Sequence, residues 1–349
     1  IALRMIFAPV RGALFAVVIL TATVFAMATG IVGAAVTVLG IMAGPIMIKT
    51  GYDAKLSAGA IAAGGTLGIL IPPSVMLIVM GPVLGVSVAD LYAAAFGPGF
   101  LLAFLYLVYL LGRAHFNPKL GPPVPKEERV HSLAAMVVEV LIGVLPLLAL
   151  IAATLGSILA GAATPTEASA IGALGAVLLA IAYRRLTYAG LKQAVLSTTA
   201  TSSMVLLLAV TSNVFGAVFS RLGTADWVTN QMLALPLPPI AMLIMVIVLI
   251  FLLGWPFEWP AIVLVFLPIF HPVIAALKFD MIWFGTLVAV NLQTAFLSPP
   301  VAMSAYYLKQ VVKEWSLSTI YSGMYQFIVL QCIAVGLIVI FPQIATYLP

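Results

Sequence analysis

Of the 349 residues, 64% are hydrophobic and 7% charged, whereas a soluble domain carries about a quarter charged side chains, so a soluble globular fold is excluded. The Ala, Leu, Gly and Met runs lack the two-residue alternation of a porin-type barrel, which leaves helices as the spanning structure and predicts an all-α polytopic membrane protein in the lipid bilayer. The net charge of +5 sits in short loops between apolar runs rather than on one face, so it points to membrane topology and not to nucleic acid.

The chain opens on Ile1-Ala2-Leu3-Arg4, without an initiating Met, and reads as beginning inside a longer protein. Cutting at charges, Gly and Pro gives apolar segments in order. Segments 13–27 and 34–48 flank a small-residue tip, Met27 to Gly33. Segment 56–80 is interrupted at Gly65-Thr66-Leu67-Gly68-Ile69-Leu70-Ile71-Pro72-Pro73, and 89–112 follows. A charged, Pro-rich stretch over 113–133, with Lys126-Glu127-Glu128-Arg129, reads as a cytoplasmic linker. Segment 134–155 begins near Glu139, read as interfacial. Segment 167–183 is announced by Thr164-Pro165-Thr166-Glu167, the spacing of a capping box with Pro at the first helical position. After 193–220, segments 239–253 and 261–277 flank a second tip, Gly254-Trp255-Pro256-Phe257-Glu258-Trp259-Pro260. Segment 281–308 is broken at Asn291-Leu292-Gln293-Thr294-Ala295-Phe296-Leu297-Ser298-Pro299-Pro300, and 317–347 closes the chain. Trp227, Trp283 and Trp315 read as interfacial anchors. The lone Cys332 excludes an internal disulfide and reads as a packing residue, and the three His (His115, His131, His271) are too scattered for a metal motif.

With Arg4, Arg11, Lys49 and Lys55 placed in the cytoplasm, successive spans deliver thirteen of the fifteen Lys and Arg to that side. The exceptions, Arg221 and Lys278, each have an Asp close by, in keeping with the positive-inside rule.

Two Pro-Pro pairs inside apolar spans break the helix and leave carbonyls unpaired, which hydrocarbon tolerates only where protein, ion or water satisfies them. The pairs are 227 residues apart, and the same offset carries the first tip onto the second. The topology gives the two hairpins opposite orientation. Inverted repeats with discontinuous helices are the pattern of secondary carriers, with their sites at the breaks. The expected organisation is a first repeat over 1–112 (re-entrant hairpin 13–48, broken helix 56–80, helix 89–112), the linker, and connecting scaffold helices over 134–220. A second inverted repeat covers 221–349 (hairpin 239–277, broken helix 281–308, C-terminal helix 317–347).

No Lys or Arg lies in either tip or break. A carboxylate there has to be held by half-helix N-termini and co-bound cations. The candidate substrate-binding residues are Thr29, Gly30, Gly65, Pro72, Pro73, Glu258, Gln293, Pro299 and Pro300. Freed carbonyls with Thr29, Thr66, Thr294 and Ser298 offer hard oxygen ligands that suit sodium better than a transition metal. Glu258 either binds a cation or proton, or caps the hairpin turn; Glu167 is assigned to capping.

At these residues the chain resembles the large membrane subunit of the tripartite ATP-independent periplasmic (TRAP) transporters. The resemblance rests on Gly51-Tyr52-Asp53 with Gly65 to Pro73, on Ala163 to Ala168, and on Asn291 to Pro300. The Leu-Ser-Pro-Pro ending followed by Tyr306-Tyr307-Leu308-Lys309 is similar to the branch labelled mannitol/chloroaromatic. The resemblance covers essentially the whole chain. It implies an elevator-type, sodium-driven carrier in the bacterial inner membrane, working with a small TRAP membrane subunit and a periplasmic substrate-binding protein that delivers a carboxylate. It also implies sodium sites at Thr29, Gly30, Thr66 and Gly68 and at Gly254, Thr294 and Ser298, with no organic cofactor. Members of that family usually begin with further scaffold helices ahead of the stretch given by this sequence, and the chain departs from the family in carrying Glu258 where Asp is common and Ser298 where Thr is common. A channel, or another ion-coupled carrier of small anions, is the alternative reading. An intramembrane enzyme is disfavoured because the spans offer no nucleophile with a base, no His-rich motif and no paired aspartates.

Overall fold

The computed structural model describes residues 10–123, 142–143 and 145–349, and these contain helices and no strand. The expectations for Arg4, Glu139, His131 and the Lys126–Arg129 run fall outside the described residues. Helices α1 (Ala13–Thr29) and α2 (Val32–Lys49) form a hairpin. There follow α3 (Ala54–Thr66), a 3-10 turn (Leu67–Ile69), α4 (Val75–Leu84) and α5 (Val88–Phe116). Four connecting helices come next: α6 (Leu145–Leu159), α7 (Pro165–Ala182), α8 (Tyr188–Arg221) and α9 (Thr224–Leu233). The second hairpin is α10 (Pro239–Leu253) and α11 (Trp259–Ala276). Then come α12 (Met281–Leu292), a 3-10 turn (Gln293–Phe296), α13 (Met303–Val311), α14 (Leu317–Ile340) and the short α15 (Gln343–Thr346). Six of these helices are long and apolar enough to cross a bilayer.

Displaced by 227 residues, α1 to α5 fall on α10 to α14 to within three residues at every boundary. The local chemistry repeats as well. Asp53 and Asp280 are N-caps of the two interrupted helices, accepting the N–H of Leu56 and of Trp283, each at 2.8 Å. In both interrupted helices a 3-10 turn leads into the Pro-Pro pair, whose peptide bond is cis. Proline donates no N–H and forces the preceding residue out of the helical region, so the ladder stops there. Ser74 restarts the first, its hydroxyl accepting the N–H of Leu77.

The two repeats run in opposite senses. Near its start, α14 crosses the beginning of α3 in backbone contact: a Cβ on Gly323 would stand 2.0 Å from the Lys55 carbonyl, and one on Gly59 would stand 2.7 Å from the Gly323 carbonyl. Near its end, the carbonyl of Ile338 accepts the indole N–H of Trp283, at the beginning of α12, at 3.0 Å. Fifteen helical residues separate these contacts, about 22 Å at 1.5 Å per residue. The interrupted helices therefore enter from opposite ends.

The half-helices after the breaks interlock the repeats. Tyr307, Val311 and Val312, on and just past α13, lie on Gly33, Gly40 and Gly44 of α2, so the two run in parallel. In the other direction α4 packs on α11. Both ends of the first hairpin are tied to one strap, with Gly12 N–H on the Gly121 carbonyl (2.9 Å) and Asp53 N–H on that of Leu120 (3.0 Å). Arg11, Lys49, Lys55, Arg113, Lys119, Lys309 and Lys313 consequently gather at one end of the molecule. There Lys309 Nζ donates to the carbonyls of Lys313 and Trp315, at 2.7 and 2.8 Å.

Several local expectations are corrected. Trp283 and Trp315 are buried against protein rather than lying at a lipid interface, and Cys332 is exposed on α14 rather than packed inside. Helix α9 was not expected, because its short polar sequence lacks a spanning pattern. Segment 317–347 ends at Ile340, because Pro342 prevents continuation. Within α11, residues 262–266 form a π turn. The ring of Pro268 would meet the Leu264 carbonyl in a regular helix, and the wider turn displaces it.

Candidate functional site

Each hairpin tip is pressed against a break. Gly30 has φ +59°, a left-handed conformation disfavoured for L side chains, and a Cβ there would stand 2.9 Å from the Pro73 carbonyl. Gly254 is buried against Ala295, inside the second break. Between the two tip–break pairs lies a cavity of about 190 Å³. From the first repeat it is lined by Gly30 to Gly33, Ile69 and Val75. From the second it is lined by Glu258, Trp259, Phe296, Met303 and Tyr307, with Thr201, Met204 and Val205 of α8 closing one side.

Four helices begin at this cavity: α2 at Val32, α4 at Val75, α11 at Trp259 and α13 at Met303. Each presents backbone N–H groups without an intrahelical partner and a partial positive charge. Ser74 caps α4, whereas Ile31, Glu258 and Ala302, the residues preceding the other three, make no side-chain cap. No Lys or Arg lines the space. The cavity is thus walled by helix ends, with Glu258 as the one acid in its lining.

Of the residues named from sequence, Gly30 and Glu258 line this shared cavity. Glu258 is exposed, and its side chain makes no capping bond, so the turn-capping alternative is not the arrangement seen. Thr29, Gly30 and Pro73 also border a second cavity, of about 370 Å³, between the first tip and α6 and α7. Thr29 Oγ1 donates to the Phe25 carbonyl at 2.9 Å. Gly65, Gly68 and Pro72 are buried behind the first break, with Gly65 against Val36. Thr66 and Thr294 are buried and donate to the Ala63 and Asn291 carbonyls, at 2.8 and 2.7 Å. Gln293 and Ser298 are buried beside Thr294, Pro299 is half-buried and Pro300 exposed. None of these nine deeper or flanking residues lines the shared cavity.

Glu167 does what its spacing predicts: its carboxylate accepts the Thr164 N–H at 2.8 Å, and the Thr164 hydroxyl accepts the Glu167 N–H at 3.3 Å. Thr201, Met204, Val205 and Tyr307 were not singled out as site residues. The Ser and Thr run from Ser197 to Ser203, inside an otherwise apolar span, was the signal for Thr201.

Two inverted repeats, each a hairpin meeting an interrupted helix at a shared cavity, define the architecture of a secondary carrier. Within that class, the chain belongs to the family described as "Tripartite ATP-independent periplasmic transporter, DctM component", which it matches over residues 2–344. It is 29% identical over 306 residues to the sialic acid TRAP transporter permease protein SiaT of Haemophilus influenzae, an alignment covering 87% of this chain and 48% of that protein. To the C4-dicarboxylate TRAP transporter large permease protein DctM of Pseudomonas aeruginosa it is 30% identical over 304 residues (85% and 68%). To the sialic acid TRAP transporter large permease protein SiaM of Vibrio cholerae it is 29% identical over 313 residues (88% and 71%). The chain therefore spans about half the length of SiaT. Its place is the inner membrane, as for that family's members, and the relatives named here are permease subunits, not enzymes. The relatives' names do not bear on the mannitol/chloroaromatic branch.

Proposed function

We propose that this chain imports an organic acid together with sodium, taking its substrate from a periplasmic binding protein and working beside a small membrane subunit. The observation that carries this reading is the convergence of four helix N-termini on one cavity without Lys or Arg. Such a site holds a carboxylate through backbone N–H groups and leaves charge balance to cations bound nearby. The relatives' names fit that chemistry, since sialic acid and C4-dicarboxylates are carboxylates. Sodium is assigned to the hydroxyls and carbonyls around Thr29, Gly30, Thr66 and Gly68 and around Gly254, Thr294 and Ser298, because hard neutral oxygens select a hard cation.

The interlocked hairpins and breaks form the unit that carries the substrate, in an elevator-type motion relative to the connecting helices. The end that gathers Arg11, Lys49, Lys55, Arg113, Lys119, Lys309 and Lys313 faces the cytoplasm by the positive-inside rule. The test is uptake into proteoliposomes holding the full-length subunit, its small partner and the binding protein, with a panel of carboxylates and an imposed sodium gradient. Uptake that needs both the gradient and the binding protein is expected. Carboxylate flux that needs neither overturns the proposal in favour of a channel.

A further inference from the structure

Among the described residues, two buried carboxamide oxygens have no hydrogen-bond partner: Oε1 of Gln293 and Oε1 of Gln331. Both side chains are completely buried. An acceptor left open in a water-poor interior is costly and calls for a partner that arrives from elsewhere. The two oxygens stand in related places. Gln293 lies 227 residues after Thr66, at the equivalent point of the second break. Gln331, in the middle of α14, reaches Thr66 itself, with Nε2 at 3.5 Å from Thr66 Oγ1 and 3.0 Å from Tyr106 Oη.

The orientation of each amide is fixed by its neighbours. The Thr66 hydroxyl gives its proton to the Ala63 carbonyl, so toward Gln331 it can only accept, and the nitrogen end must face it. Gln293 Nε2 faces the Ala289 carbonyl at 3.4 Å, where an oxygen would be repelled. In both cases the nitrogen end is anchored and the oxygen end is presented, unpaired, beside a break. No group of three or more His, Cys, Asp or Glu that would hold a transition metal occurs among the described residues. Neutral, hard oxygens suit an alkali cation.

We propose that Gln331 and Gln293 are each a sodium ligand, one at each break, with Gln331 supplied to the first break by a helix of the second repeat. The inference rests on the sodium-coupled reading above and adds to it a ligand outside the tips and breaks. An ion at the first break is then held by both repeats at once, so its binding stiffens their junction and not one hairpin alone.

The experiment is thermal unfolding of the purified full chain in detergent, titrated with sodium chloride against choline and potassium chloride at constant ionic strength. Mass action makes the melting temperature of the wild type rise with sodium, and Q331L and Q293L are each expected to need about tenfold more sodium for the same rise. A sodium midpoint in Q331L equal to that of the wild type overturns the proposal. If Q331L does not fold, Tyr106→Phe releases the amide's anchor while keeping the ring edge-on to Phe327, 5.2 Å between centroids. A raised sodium midpoint is expected there too, and a loss of stability that is equal with and without sodium overturns the proposal. Wild-type uptake that ignores sodium removes the functional reading and this inference together. Sodium-driven wild-type uptake with an unmoved Q331L midpoint removes this inference alone.

Discussion

Gly30 carries more of the first tip than its size implies. Its φ of +59° turns α1 into α2, and the missing Cβ lets the Pro73 carbonyl approach. A Gly30→Ala substitution adds a left-handed penalty of about 1–2 kcal/mol and an atom 2.9 Å from that carbonyl. The tip must then shift off the break. Gly30→Ala is expected to insert normally and to lose most of its uptake in the proteoliposome assay, while wild-type rates would show that the tip does not contribute to the site. The importance of Gly30 was legible in sequence as a small-residue tip between apolar arms. Its partner was not, because the Pro73 carbonyl approaches from 43 residues away through a fold that neither segment encodes alone.

At the level of elements, contact quality decides which glycines matter. The crossing of α3 and α14 is made backbone to backbone at Gly59 and Gly323, where small residues permit van der Waals packing that lipid does not drive. Gly336, on the same α14, faces open space. Gly323→Val is therefore expected to separate the two helices and abolish a cooperative melt. Gly336→Ala is expected to be neutral or to stabilise α14 by up to about 1 kcal/mol through helix propensity. Thermal unfolding of both variants in detergent measures this, and equal behaviour would mean that the crossing is not a packing hinge point. Cutting the sequence at charges, Gly and Pro located both helices within apolar segments. It gave no sign of which face met which. Gln331 illustrates the cost: one amide in an apolar span reads as an isolated polar residue until α14 is laid across Thr66 and Tyr106.

Across the whole molecule, orientation follows from charge. Replacing Cys332 by Ser leaves a chain without thiols, onto which Lys119→Cys and Lys278→Cys place single labels. The positive-inside rule predicts that an impermeant thiol reagent applied from outside intact cells or spheroplasts reaches the cysteine at 278 and not the one at 119. The reverse pattern would turn the molecule over. The sequence by itself determined the class and the repeat: composition forces helices in lipid, and two proline pairs at a fixed offset force two interruptions, because proline's missing donor acts locally whatever surrounds it. It also located the tips. Only the tertiary structure decided that four helices begin at one cavity and that the sequence-named hydroxyls lie behind it rather than on it. It also showed that Trp283 and Trp315 are held by protein. Those outcomes depend on how two interlocked repeats pack, and side chains hundreds of residues apart meet there through contacts that no local pattern records.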